Sequence, residues 1–305
     1  MKHRLFFLGI FFSHYVVLSY AKFDLIEIPY WTAGKTMVIE GMVNGKAGDL
    51  IFDTGIPKML LNQKHVGNSE VFKNKEFAGF QSINGANHNG GMSLVLLQIR
   101  GFSKKVGADI VDLGTVEEHK GINILAIVGI DLFKKYELEI DGFSKVIRLY
   151  RLSKKGNRIV QEKTSLPSLT IPFDNKGHLP CISTQWNGRT LRLGLDTGAE
   201  AHVLNHDIYE TSKDRFDEVH TVCMVDLNGK PSKVLATEVD GIKIGYIEVP
   251  STETLFMPNI TDYGGLSSKK VQGLLGFAFF QHFRMALNFK KKEFSLWKRE
   301  LVGLQ

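Results

Sequence analysis

The chain has 305 residues, 43% of them apolar and 23% charged, which excludes a disordered or collagen-like protein and leaves room for one large domain or two ordinary ones. Its formal charge of +6 is modest, and the lysines at Lys134-Lys135, Lys154-Lys155 and Lys290 to Lys292 come without an aromatic platform or groove-reading motif, so nucleic acid is not an expected partner. Only 8 Pro stand against 30 Gly, a balance suited to many tight β turns.

The N-terminus has the layout of a targeting segment. Lys2, His3 and Arg4 form a basic start, Leu5 to Leu18 is dominated by Leu, Phe, Ile and Val, and Ser19 and Ala21 put small residues before a cleavage point. Residues 1–21 are therefore expected to be a signal peptide, with the mature protein exported to a periplasm or secreted. The apolar stretch is shorter than the ~20 residues a stable span needs, so no membrane span is expected after cleavage. Cys181 and Cys223 are the only cysteines, and a chain of this length does not need one disulfide, so they are expected to be unpaired.

From Ile28 onward the strand pattern is plain. Thr36 to Val43 and Lys46 to Phe52 flank Asn44-Gly45, and the arrangement returns at Cys181 to Trp186 and Arg189 to Leu195 around Asn187-Gly188. Asn-Gly between two apolar runs is a hairpin signal, because both residues accept the positive φ of a type I′ turn. Laying residues 28–62 over 171–205 needs no gap. The identical pairs are Ile28/Ile171, Pro29/Pro172, Gly34/Gly177, Ile39/Ile182, Asn44/Asn187, Gly45/Gly188, Leu50/Leu193, Asp53/Asp196, Thr54/Thr197, Gly55/Gly198, Leu61/Leu204 and Asn62/Asn205. Further on, Ile127-Val128-Gly129 faces Leu274-Leu275-Gly276, and Tyr150 faces Trp297.

The chain is thus a tandem duplication, and its long period points to two lobes rather than a solenoid. The expected layout is a first lobe over residues 22–152, a linker over 153–168 and a second lobe over 169–305. The fold class is all-β, with two pseudo-twofold-related, barrel-like lobes and a few short helices such as the one near His206 to Tyr209.

Each half carries Asp-Thr-Gly directly after an apolar strand, at Asp53-Thr54-Gly55 and Asp196-Thr197-Gly198. A carboxylate at the end of a buried strand is costly unless something uses it. Brought face to face by a pseudo-twofold axis, two such groups share one proton, and a water between them can be activated for attack on a carbonyl. Asp53 and Asp196 are the candidate catalytic pair. Gly55 and Gly198 would give N–H groups to the carboxylates, and Thr54 and Thr197 have hydroxyls that could bond across the axis.

The sequence resembles the pepsin and retroviral-type aspartic proteases, most of all bacterial retropepsin-like proteins with two fused lobes. The resemblance rests on Phe52 to Gly55, on Leu195 to Ala199, and on the apolar-apolar-Gly elements at Gly129 and Gly276. It implies a peptidase that needs no metal or other cofactor and takes an extended polypeptide in a cleft. It also implies a six-stranded base between the lobes, and support of the catalytic loops by Ile127 to Asp131 and Leu274 to Ala278. Because one chain supplies both halves, a monomer is expected.

Ile56 departs from the Ser or Ala usual after the triplet, whereas Ala199 conforms; a bulky Ile is expected to crowd the first loop. That departure favours the alternative, a weak or inactive peptide-binding protein with the same fold. A flap is expected at Gln81 to Gly91, with Ile83, Asn84 and Gly85 at its tip, and a second hairpin tip at Asn228-Gly229. His202 and His206 share the spacing of a zinc pair, but their repeat counterparts Met59 and Gln63 do not, so no metal site is expected there.

Overall fold

In a computed structural model, the described residues are 23–66, 71–72, 80–81, 87–88, 91–160, 165–174, 177–225, 231–258, 260 and 271–298. The fold is all-β and two-lobed, as expected, with three short α-helices at Gly114–Lys120, His206–Glu210 and Phe277–Phe280 among the described residues. The signal-peptide segment and the tips at Ile83, Asn84, Gly85, Asn228 and Gly229 lie outside the described residues. The strands bordering those tips pair antiparallel, Gln81 with Asn87 and Val225 with Pro231.

Both hairpins read from Asn-Gly are present. The strand Thr36–Val43 pairs with Lys46–Asp53, and Cys181–Trp186 pairs with Arg189–Leu195. Asn44 and Asn187 both have φ 51°, and Gly45 and Gly188 have φ 81° and 72°. Positive φ at both turn positions is what the type I′ geometry requires.

The centres of the two halves repeat one another. In the first lobe the strand ending at Asp53 runs parallel to Ile124–Gly129, which pairs antiparallel with Met59–Asn62. In the second, the strand ending at Leu195 runs parallel to Gly273–Leu275, which pairs antiparallel with His202–Asn205. The first lobe closes on itself where Met42 and Val43 meet Gln98 and Leu97. The Asp-Thr-Gly triplets follow the two central strands, whose apolar residues Leu50, Phe52, Leu193 and Leu195 are fully buried. Burying each such side chain contributes about 1.5–3 kcal/mol, so the strand ends are held firmly in place.

Six strands form the base between the lobes, in the order Leu169–Pro172, Glu293–Trp297, Arg284–Asn288, Tyr136–Asp141, Val146–Arg151 and Leu25–Ala33. Three come from each half, and the seam is the antiparallel pairing of Leu138 with Leu287 and its neighbours. One apolar cluster runs through both lobes across this base, from Ile26 and Ile28 to Phe294 and Leu296. Tyr150 and Trp297, paired in the repeat, are both buried at the ends of base strands. Cys181 and Cys223 are unpaired, one buried and one exposed.

Candidate active site

The two triplets meet where the lobes join, bonded to one another through Thr54 and Thr197. A Cβ placed on Gly55 would overlap the Asp196 carboxyl, and one on Gly198 would overlap the Asp53 carboxyl. Each glycine is therefore required for close approach of the opposite half's carboxylate. Asp196 is 3% exposed and Asp53 is partly exposed, and their side chains hydrogen-bond to one another.

The threonines lock the loops together across the axis. Thr54 N–H donates to Thr197 Oγ1 at 3.0 Å and Thr197 N–H to Thr54 Oγ1 at 2.9 Å. Each hydroxyl in turn donates to the opposite strand, Thr54 to the Leu195 carbonyl at 2.8 Å and Thr197 to the Phe52 carbonyl at 3.0 Å. Four buried bonds thus fasten four residues. Replacing Thr197 with the isosteric Val orphans the Thr54 N–H and the Phe52 carbonyl. The Thr197→Val protein should lose about 2–4 kcal/mol in urea denaturation. A loss below about 0.5 kcal/mol would show that the crosslink contributes little.

Within each loop the carboxylate is oriented by the backbone that follows it. Asp53 Oδ1 accepts from Gly55 N–H at 2.7 Å, and the Ile56 N–H adds a second bond to that carboxyl. Asp196 Oδ1 accepts from Gly198 N–H at 2.9 Å and Ala199 N–H at 3.2 Å. Burial, then the charge on Asp196, pushes the Asp53 carboxyl well above the usual carboxylate range, against the pull of the Gly55 N–H. That is the electrostatic state of two carboxyls that cannot both ionise easily.

Support from beneath follows the resemblance. Gly129 packs against the backbone of Ile56 to Lys58, with Ile130 N–H on the Ile56 carbonyl at 3.0 Å. Gly276 packs against the carbonyls of Ala199 and Ala201, with Phe277 N–H on Ala199 at 2.7 Å. Ile56, however, does not crowd the first loop. It is 2% exposed and turned into an apolar cluster with Ile51, Leu60, Val111, Leu113, Ile124 and Ile127. In the second lobe the matching space beside Ala199 and Gly194 is filled by Leu179, which presses on the Gly194 backbone.

Two residues near the loops carried no motif. Lys120, at the end of the first lobe's helix Gly114–Lys120, forms an ion pair with Glu200, which follows the second triplet closely. His202, discounted as a zinc ligand, is 1% exposed, and its Nδ1 accepts the Gly276 N–H at 3.2 Å. Its Nε2 has no hydrogen-bond partner among the described residues. Burial, with a smaller push from His282, lowers its pKa from the ordinary 6.5 to about 4.

The folded protein therefore resists protonating His202 while the unfolded chain does not. Stability should fall as pH drops from about 6.5 and level off below about 4, by at most about 3 kcal/mol. Met is the natural control, because Met59 fills this position in the first lobe. The difference between wild type and His202→Met in urea denaturation from pH 4 to 7 should shrink steadily toward acid. A constant difference would remove His202 from the account.

No curated protein matches the chain. Residues 182–279, which span the second triplet and Gly276, match the family model described as aspartyl protease.

Proposed function

We propose that the protein is a monomeric aspartic endopeptidase in which Asp53 and Asp196 jointly activate a water for attack on a peptide carbonyl. The observation that carries this reading is the mutual approach of the triplets, each glycine lying against the other half's carboxyl. One proton shared by the pair leaves one carboxylate to take a proton from water and one acid to polarise the substrate carbonyl. The attack gives a tetrahedral diol. Proton return through the pair to the leaving amine then breaks the C–N bond. The two titrations belong to the pair, so acid and base are not divided between the residues.

A two-lobed β fold with one triplet from each lobe at the join suits an extended polypeptide as substrate. Among the described residues no helix is long and apolar enough to cross a membrane. Export through residues 1–21 is part of the proposal and is checked by sequencing the N-terminus of the protein recovered from cells. The functional test is cleavage of a diverse peptide library between about pH 3 and 8 by the wild type and by Asp53→Asn and Asp196→Asn variants. Failure of the wild type on every peptide would favour a binding protein of the same fold.

A further inference from the structure

The surroundings of the two triplets differ in one respect that the duplication does not explain. Gly198 lies exposed, whereas its counterpart Gly55 is buried, although each faces the opposite carboxyl in the same way. The extra cover at Gly55 includes His178 from the second lobe, hydrogen-bonded to the Gly55 backbone. The Gly55 N–H is already given to Asp53 Oδ1, so the imidazole N–H donates to the Gly55 carbonyl. The repeat counterpart of His178 is Lys35, which sits exposed in the turn before the strand Thr36–Val43. Among the described residues, only the first of the two loops has this contact.

The segment carrying His178 is not free to wander. Leu195 N–H donates to the Pro180 carbonyl at 2.9 Å, and Leu179 is seated on Gly194, so the two residues that follow His178 are fixed to the strand that delivers Asp196. His178 thus reaches from the strand of one aspartate to the loop of the other. The carbonyl it holds belongs to the Gly55–Ile56 peptide unit, whose N–H bonds to the Asp53 carboxyl. A donor on the oxygen of a peptide unit polarises it and strengthens the N–H at its other end.

We propose that His178 is a positioning residue for the catalytic pair, which acts through the Gly55–Ile56 peptide unit to favour the ionised form of Asp53. The inference rests on the reading of Asp53 and Asp196 as a catalytic pair and adds what tunes it. The charged groups facing His178 are Asp131 and Lys134 of the first lobe, which pair with each other at 2.5 Å. Burial holds the imidazole below its ordinary value and Asp131 pulls the other way, so His178 acts near neutral pH as a neutral donor.

The test is the titration of the Asp53 and Asp196 carboxyl carbons by NMR in the full chain, which does not depend on finding a substrate. His178→Phe keeps a ring in the space without a donor, and His178→Gln keeps a donor. The lower apparent pKa of the pair should rise by roughly half to one unit in His178→Phe and return most of the way in His178→Gln. Where cleavage is measurable, the acid limb of kcat/KM should move with it. An unchanged or lowered value in a folded His178→Phe protein overturns the proposal. If the Asp→Asn variants still cleave while the titration moves as stated, the endopeptidase reading fails and the positioning role stands. If those variants are inactive and the titration does not move, His178 alone is wrongly assigned.

Discussion

Asp196→Asn is expected to lower kcat/KM for peptide cleavage at least about 10³-fold at every pH between about 3 and 8, and Asp53→Asn to do the same. In the proposed mechanism an amide can neither take the proton of the attacking water nor pass one to the leaving amine, so both carboxyls are required. The loss should not come from unfolding. The Asp53 carboxyl is held well above its ordinary range by burial and by the charge of Asp196. The folded protein therefore binds that proton more tightly than the unfolded chain. Its contribution to stability is greatest in acid and fades as pH rises through the folded value. Near pH 7 the Asn variants should be at least as stable as wild type, because the strained, shared ionisation has been removed. Activity that survives either substitution would end the two-carboxylate mechanism. Activity lost together with a lowered melting temperature would point to a structural role.

Glu139→Leu is expected to cost about 3–5 kcal/mol. Glu139 is fully buried in the base strand Tyr136–Asp141, at the seam between the lobes. Its carboxylate meets Arg148 at 3.0 Å, Arg158 at 2.9 Å and Arg284 at 2.9 Å, the last coming from the opposite half. The guanidiniums are further held by stacking, Arg158 over Tyr150 at 3.5 Å and Arg284 over Trp297 at 4.7 Å. Burial opposes the charge on Arg158, and Glu137 with Glu139 outweighs it. Removing Glu139 leaves three clustered cations with only Glu27, Glu137 and Asp141 to answer them.

The base also sets the angle between the lobes, and the triplets tolerate little error in that angle. Glu139→Leu should therefore reduce kcat more than the stability loss alone would, measured where the variant is still fully folded. Replacing Glu139, Arg148, Arg158 and Arg284 together by apolar residues of similar volume should recover much of the stability, since an apolar cluster needs no charge balance. Full stability in the single variant would show that the arginines find other partners.

Much of the molecule was legible from local rules. Period-two alternation and the two Asn-Gly turns locate the hairpins, because positive φ at consecutive positions leaves few other conformations. The gapless repeat makes the triplets equivalent, and equivalence by a twofold axis is enough to predict that Thr54 and Thr197 bond to one another. The resemblance supplied the six-stranded base. It did not supply the direction of Ile56, which turns into the apolar cluster around Ile51.

What the amino-acid order determined by itself is the duplication, the strand pattern and the identity of the paired carboxyls. These follow from short-range backbone preference and from symmetry between two copies. The tertiary structure alone decided that the copies are not equal at the site. His178 reaches Gly55 while its counterpart Lys35 stays in a surface turn, and Arg284 meets Glu139 from 145 positions away. Such contacts are chosen by the packing of remote strands, where the cost of an unpaired buried group selects the partner, and no spacing within a single stretch of chain records that choice.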